Sequence, residues 1–423
     1  MNPHHLQRFA AFDRHKKLQE AGVYTYFQPF ESGSDTVTRA DGKEVLMFGS
    51  NSYLGLVNHP RVVEAAINAI EKYGTSSSGS RFLNGSLTIH EALEARLAEF
   101  IGQESCLVYG AGFMANLGGI PPLALRGDVI FMDESVHASA IDATRLGFSQ
   151  VRKFKHNDTE DLDLKIRRAV ATGPVKAIMI IVDGVYSMEG DIAPLDQLAI
   201  VAKRHDATLY VDDSHGLGVT GPKGIGTPAK FDISEAVDVH MGTFSKSLAS
   251  IGGYIAGSFE MVDYIKHTSR AMMFSASLPP ASVAATHAAI DVLDEEPERV
   301  VKLWENIHHT YQLLKMAGFE VHKPASAVLP IYIRNTELTC GISKRARDLG
   351  VYVNPVFSPA VGEGDALLRF SLMATHTFSQ IETAVRVLIQ ASDEFGLVRN
   401  LDVSGTSPSP KEPTDKVKVD PVV

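Results

Sequence analysis

Lys246 lies in the run GTFSKS at 242–247, surrounded by hydroxyl side chains and glycine, with apolar residues on either side. A lysine in such a run reads in two ways. In a solvent-facing Ser/Gly loop it is an ordinary surface charge. Withdrawn from water it gives up its proton near neutral pH and becomes a nucleophilic amine, and the hydroxyls and amides beside it suit a phosphate. The second reading describes the partner of a phosphorylated aldehyde, which among cofactors means pyridoxal 5′-phosphate (PLP). A nucleotide-binding loop needs glycine immediately before the lysine, and Ser245 stands there.

Upstream, the run ATLYVDDSHGLG at 207–218 reads as a buried parallel strand whose C-terminal end opens into a loop. Ligands of open α/β sheets sit at that end. A carboxylate there can keep a pyridine nitrogen protonated, which turns the ring into an electron sink. Asp212 is the candidate, with His215 placed for a ring hydroxyl. A metal site or a helix cap are the alternatives, although no further Cys/His cluster completes a metal set nearby.

Other segments carry single candidates. GAGFMAN at 110–116 follows a strand pattern and begins a helical one, so Gly112 and Phe113 offer backbone N–H groups to an anion at a helix start, unless the turn is a plain connector. Together with Thr243 and Ser245 they make a phosphate cup. His137 follows another strand end and either stacks on an aromatic ring or sits on a surface helix. Arg369 interrupts an apolar strand pattern, so it points to solvent or pairs with a carboxylate such as a substrate's. Ser80 and Arg81 in the small polar run 74–86, Asn51 in GSNSYLG and Ser275 in FSASLPP carry little signal by themselves.

These residues need a scaffold. Strand patterns at 107–109, 129–132, 177–182, 209–211, 237–241 and 254–256 alternate with helical segments, which predicts a mainly parallel sheet covered on both faces. From about residue 300 the rhythm changes to a helix at 301–316, strands near 328–333 and 367–372, and a last helix at 378–395. The division expected is a helical N-terminal arm with small strands over 1–50, a large domain over 51–290, a smaller C-terminal α+β domain over 291–399, and a disordered tail over 400–423. The 423 residues are 44% hydrophobic and 21% charged with a net charge of −10, an ordinary globular composition that gives no nucleic-acid surface. Two distant cysteines, Cys106 and Cys340, fit a reducing cytosol. The first residues lack the apolar core of a signal peptide, no stretch of about twenty apolar residues suggests a membrane span, and no strongly basic amphipathic helix suggests an anchor.

From about residue 24 to 395 the chain resembles the α-oxoamine synthases, PLP enzymes of the aspartate-aminotransferase fold type (fold type I). The resemblance rests on VLMFGSNSYLGL (45–56), GSRFLNGS (79–86), DGVYSMEGD (183–191), GTFSKS (242–247), the 274–280 run and VNPVFSPAVGEGDALLRFSLMATHT (353–377). It implies a large domain with a mainly parallel seven-stranded sheet and a smaller α+β domain. It also implies that Lys246 forms a Schiff base with PLP, Asp212 pairs with the pyridine nitrogen, His215 holds the ring oxygen and His137 stacks on the ring. Gly112, Phe113, Thr243 and Ser245 would surround the phosphate, Ser275 would reach in from the other subunit of a homodimer, and Ser187 would lie on the ring-hydroxyl side. Arg369 and Asn51 would address a substrate carboxylate. Some relatives carry Glu where Asp183 stands, so Asp183 receives no role. The loops around Ser80, Arg81 and Arg369 resemble the serine-condensing branch, which implies L-serine and a long-chain acyl-CoA as substrates of a cytoplasmic enzyme in peripheral contact with the membrane. The alternatives are 2-amino-3-ketobutyrate ligase, 8-amino-7-oxononanoate synthase and a catalytically silent partner subunit.

Overall fold

The computed structural model describes residues 1–33 and 35–400, and the tail expected over 400–423 lies, from residue 401 on, outside the described residues. Thirteen strands run through them: β1 (Val37–Ala40), β2 (Lys43–Met47), β3 (Ser105–Tyr109), β4 (Val129–Asp133), β5 (Gln150–Phe154), β6 (Ile178–Asp183), β7 (Thr208–Asp212), β8 (Val239–Thr243), β9 (Gly253–Gly257), β10 (Val328–Tyr332), β11 (Val351–Tyr352), β12 (Asn354–Val356) and β13 (Leu367–Ser371). Seven of them form one sheet in the order β3-β9-β8-β7-β6-β4-β5. All its neighbours pair in parallel except at β9, which runs antiparallel to both β8 and β3.

Strands buried on both faces carry continuous apolar runs, and β4 and β6 are buried at every position. Alternation then splits their side chains between two cores. Ile130, Met132, Met179 and Ile181 meet the helices Gly112–Leu123, Ala138–Thr144 and Phe259–Thr268. Val129, Phe131, Ile180 and Val182 meet the helices Thr159–Thr172 and Leu195–Arg204. Because β4, β6, β7 and β8 are parallel, their last residues, Asp133, Asp183, Asp212 and Thr243, arrive at one edge of the sheet. That edge is where such a sheet binds ligands.

The edge strand β5 escapes a reading by pattern. Its sequence QVRKF is mostly exposed, and Arg152 and Lys153 protect an open edge instead of alternating with apolar residues. The N-terminal helical pattern divides into Pro3–Ala11 and Arg14–Glu20, because Phe12 takes an extended conformation between them. The helix expected from residue 301 starts earlier, at Glu298.

Two small sheets complete the chain. The antiparallel β10-β13-β12 sheet packs among the helices Glu298–Met316, Thr336–Asp348 and Phe378–Glu394, and the β1-β2-β11 sheet joins N-terminal strands to a C-terminal one. His376 fastens these parts. Its Nδ1 accepts the Met373 N–H (3.0 Å), its Nε2 donates to the Met47 carbonyl (3.1 Å), and its ring stacks on Phe48 at 4.1 Å.

Burial holds the His376 ring neutral and pushes its pKa down to about 4. An unfolded histidine titrates near 6.5, so as pH falls from there toward 4 the unfolded chain binds a proton that the folded chain refuses, and stability falls. Urea unfolding should show this histidine costing about 3 kcal/mol by pH 4. In His376→Gln that portion of the acid slope should vanish; an unchanged slope would contradict the assignment.

Candidate active site

Asp212 ends β7 buried beneath the edge of the sheet. Its Oδ2 accepts from Asn116 Nδ2 (2.9 Å) and its Oδ1 from the Ser214 N–H (3.1 Å), and it makes no ion pair among the described residues. Asn116 is itself fixed, because Tyr210 Oη donates to its Oδ1 (2.8 Å) and its Nδ2 also reaches Ser139 Oγ (2.8 Å). Ser139 passes the arrangement on to His137. The His137 Nδ1 accepts from the Ser139 N–H (3.2 Å) and hydroxyl (2.7 Å), which leaves the proton of the neutral ring on Nε2. Burial lowers the pKa of His137, so neutral is its ordinary state; Asp212 raises it and Lys246 lowers it further. The backbone N–H of His137 rests on the Asp183 carboxylate at 3.2 Å.

Lys246 follows β8 in the turn back to β9. Gly252 makes the turn possible at φ 127°, where a Cβ would meet the Phe244 ring at 2.5 Å. As a whole residue Lys246 is only partly buried, but its amine faces the cavity wall, and desolvation brings its pKa from 10.5 down to about 8 against the opposing pull of Asp212 and Asp183. Burial, reinforced by Lys246 and Arg369, drives His215 well below the normal histidine range. Burial and the neighbouring Asp212 push the Asp183 carboxyl well above the carboxylate range.

A cavity of about 370 Å³ gathers Gly112, Phe113, His137, Asp212, His215, Thr243, Ser245 and Lys246, together with Asp183 and Ser214. Its far end is shaped for an anion. The helix Gly112–Leu123 starts there with no side-chain cap from Ala111, so its first amides are left for a ligand. Gly112 comes so close to β8 that a Cβ would lie 2.7 Å from Thr243 Oγ1, and Thr243 and Ser245 pair their hydroxyls at 3.0 Å beside it. An uncapped helix end, two hydroxyls, a buried carboxylate with no ion pair among the described residues and a deprotonatable lysine together fit PLP: the helix start could hold its phosphate, Asp212 its ring nitrogen and Lys246 its aldehyde.

A second cavity of about 380 Å³ adjoins the first through His137, His215 and Lys246, and adds Asn51, Ser187, Asn354 and Arg369. Arg369 is at the centre of β13, 5% exposed, and its guanidinium is aimed by Nε donating to the Ser187 carbonyl (2.7 Å), Nη1 to Ser371 Oγ (2.9 Å) and Nη2 to Tyr53 Oη (3.3 Å). Tyr53 also meets His215 Nδ1 (2.7 Å) and Asn51 Oδ1 (3.2 Å), which connects the two cavities. Ser187 thus faces Arg369 through its carbonyl.

Three expected residues lie elsewhere. Arg81 is committed to a buried bidentate pair with Glu94 (2.7 and 2.9 Å), and its Nε to Ser86 Oγ (2.9 Å). Three of its five N–H donors are thus committed away from the site, and Arg81 lines neither cavity. Ser80, next to it, has a buried hydroxyl with no hydrogen-bond partner among the described residues and lines neither cavity. Ser275 lines a separate apolar groove with Phe274, Phe148 and Met114. Conversely, sequence reasoning missed Asn116, Tyr53 and Asp183 as parts of the site. Asp183 had a signal, since it ends a strand beside β7; Asn116 stands in an apolar run, and Tyr53 follows the small polar run at 50–52, which reads as a plain loop.

Reductive methylation of the cofactor-free protein reads the Lys246 amine directly. Its labelling rate should climb with pH around a midpoint near 8. A midpoint near 10.5, that of a solvent lysine, would exclude a desolvated amine.

Residues 43–388 match the family model for aminotransferase class I and II. The chain is 49% identical to a serine palmitoyltransferase of Sphingobacterium spiritivorum over 91% of this chain and 96% of that one. It is 38% identical to an 8-amino-7-oxononanoate synthase of Thermoanaerobacter pseudethanolicus over 90% of this chain and 96% of that one. A solved structure of SPT with PLP as its internal aldimine superposes with a TM-score of 0.89 at 33% identity, covering 93% of this chain and 99% of the other. The chain belongs to the class I and II aminotransferase family, in its α-oxoamine synthase branch.

Proposed function

We propose that this chain is a serine palmitoyltransferase, condensing L-serine with palmitoyl-CoA to give 3-ketosphinganine, CoA and CO₂. The observation that carries the reading is the placement of Lys246, His137 and His215 on the wall shared by two cavities, one built for PLP and one ending in the Arg369 guanidinium. The similarity to serine palmitoyltransferases, stronger than to an 8-amino-7-oxononanoate synthase, supports serine and a fatty acyl-CoA over the related substrate pairs.

PLP, when bound, supplies an aldehyde that captures the amino group of serine and a ring that takes up the electron pair left at the α-carbon. The chain supplies the rest. Lys246, neutral in a large share of molecules near pH 8, takes the α-proton on Nζ, and general-base work of this kind is worth on the order of 10²–10⁴ in rate. Asp212, held by Asn116 and the Ser214 amide, keeps a proton on the ring nitrogen. Arg369 receives the serine carboxylate, with Asn51 beside it, and His137 covers the ring. By holding the serine carboxylate, Arg369 would keep it attached until the α-proton has left for Lys246. The α-carbon would then attack the thioester carbonyl, CoA would depart as its thiol with the proton that Lys246 holds on Nζ, and loss of CO₂ would be followed by protonation of the α-carbon from solvent.

Two further parts belong to the proposal. The groove of about 710 Å³ that holds Ser275, flanked by the exposed rings of Phe148 and Phe274, is the face a second copy covers, bringing Ser275 to the partner's phosphate. Long-chain substrate and product partition into lipid, which supports peripheral contact with a membrane; among the described residues no helix is long and apolar enough to cross one.

A matrix of amino acids and acyl-CoAs with the purified holoenzyme tests the reading by CoA release. Serine with a C16 thioester should exceed glycine or alanine with short thioesters by about tenfold or more. Faster release with glycine or alanine would assign the chain to a different α-oxoamine synthase; absence of all release would favour the silent subunit.

A further inference from the structure

His156 takes no part in the chemistry above, yet it is the most heavily bonded histidine near the sheet's edge. Its Nδ1 meets Asp133 Oδ1 at 3.0 Å and its Nε2 meets Asp191 Oδ2 at 2.8 Å. Carboxylates only accept, so both ring nitrogens donate and the ring is an imidazolium. Burial opposes that charge, but the bonds to Asp133 and Asp191 outweigh it and hold the pKa up to about 10. Asp133 is wholly buried at the end of β4 and also receives the N–H groups of Ser135 and Asn157, each at 2.8 Å. Asn157 Nδ2 adds a second bond to Asp191 Oδ2 at 2.9 Å.

The clamp grips one small turn at both ends. Tyr186 donates its N–H to the Asp191 carbonyl (3.0 Å), Gly190 donates to the Tyr186 carbonyl (2.9 Å), and Val185 bridges to Ile192. His156 bonds Asp191 at one end and sets its ring edge-on to Tyr186, 4.4 Å between centroids, at the other. Ser326 Oγ donates to the Gly190 carbonyl (2.8 Å), so the turn is pressed against the C-terminal sheet. The residue following Tyr186 is Ser187, whose carbonyl takes Arg369 Nε at 2.7 Å.

We propose that His156 is a positioning residue for the amino-acid substrate: by bridging Asp133 and Asp191 it fixes the turn at 186–191, and through the Ser187 carbonyl it fixes the direction in which Arg369 meets the substrate carboxylate. The inference rests on the reading of Arg369 as the carboxylate's partner. It makes the affinity for serine depend on a side chain that touches neither substrate nor cofactor. A glutamine at this position cannot donate to both carboxylates, so the turn loses one of its two anchors.

The test compares binding of serine with binding of ethanolamine, which has the same amine and hydroxyl but no carboxylate, by absorbance titration of the PLP-loaded protein. In His156→Gln the Kd for serine should rise about tenfold or more while that for ethanolamine stays the same, and Asp191→Asn should act likewise. A merely structural lesion would weaken both ligands alike, and that outcome, or an unchanged serine Kd, would overturn the proposal. Arg369→Ala separates the two layers. If it leaves the serine-to-ethanolamine ratio intact, the carboxylate reading fails and takes this inference with it. If it collapses the ratio while His156→Gln and Asp191→Asn do not, only the role of His156 is lost.

Discussion

A carboxylate buried at the end of a central strand with no cation bonded to it is the constraint on which the rest of this structure turns. Asp212 gains only neutral donors, Asn116 Nδ2 and the Ser214 amide, in exchange for the water it gives up. Burying a charge on such terms is costly unless a partner completes it. The protein spends several polar groups keeping that carboxylate in place: Tyr210 orients Asn116, and Asn116 also fixes Ser139 and through it His137. A protonated pyridine nitrogen would supply the missing cation, and that one contact would then serve both cofactor binding and the electronics of the ring.

The same low-dielectric edge tunes its neighbours in opposite directions. Desolvation brings the Lys246 amine toward neutrality, pushes Asp183 toward its protonated form, and keeps His215 uncharged next to Tyr53. None of these effects requires a dedicated device, because parallel strands deliver Asp133, Asp183, Asp212 and Thr243 to one edge and the covering helices remove water from it. The substrate side is built differently. Arg369 comes from the small antiparallel sheet and is aimed by groups far apart in the chain, Ser187 and Tyr53, so the second cavity exists only where the large domain and the C-terminal segment meet.

What the sequence revealed follows from where polarity is conspicuous. Lys246, Asp212 and His215 stood out because charged residues at the end of apolar strand runs need a reason to be there, and Arg369 stood out because it breaks an apolar strand. Asn116 stayed silent: one amide in a glycine-rich apolar helix looks like a tolerated interruption, and only the fold shows it fully buried against Asp212. Arg81 was hard to place for the complementary reason. In a small polar run it looks available, but its partner Glu94 is on the following helix, and the pairing is a fact of tertiary structure. The central strands were legible from their apolar runs, while β5 was not, since its charged residues guard an edge.

The account depends most on Asp212 being a carboxylate that is strained alone and satisfied by the cofactor. Thermal unfolding of wild type and Asp212→Asn, each with and without PLP, measures this without reference to turnover. The cofactor-free variant should melt no lower than cofactor-free wild type, because an amide is cheaper to bury than an uncompensated charge, while the rise in Tm on adding PLP should shrink markedly. A variant that loses stability without cofactor yet gains as much from PLP as wild type would contradict the account.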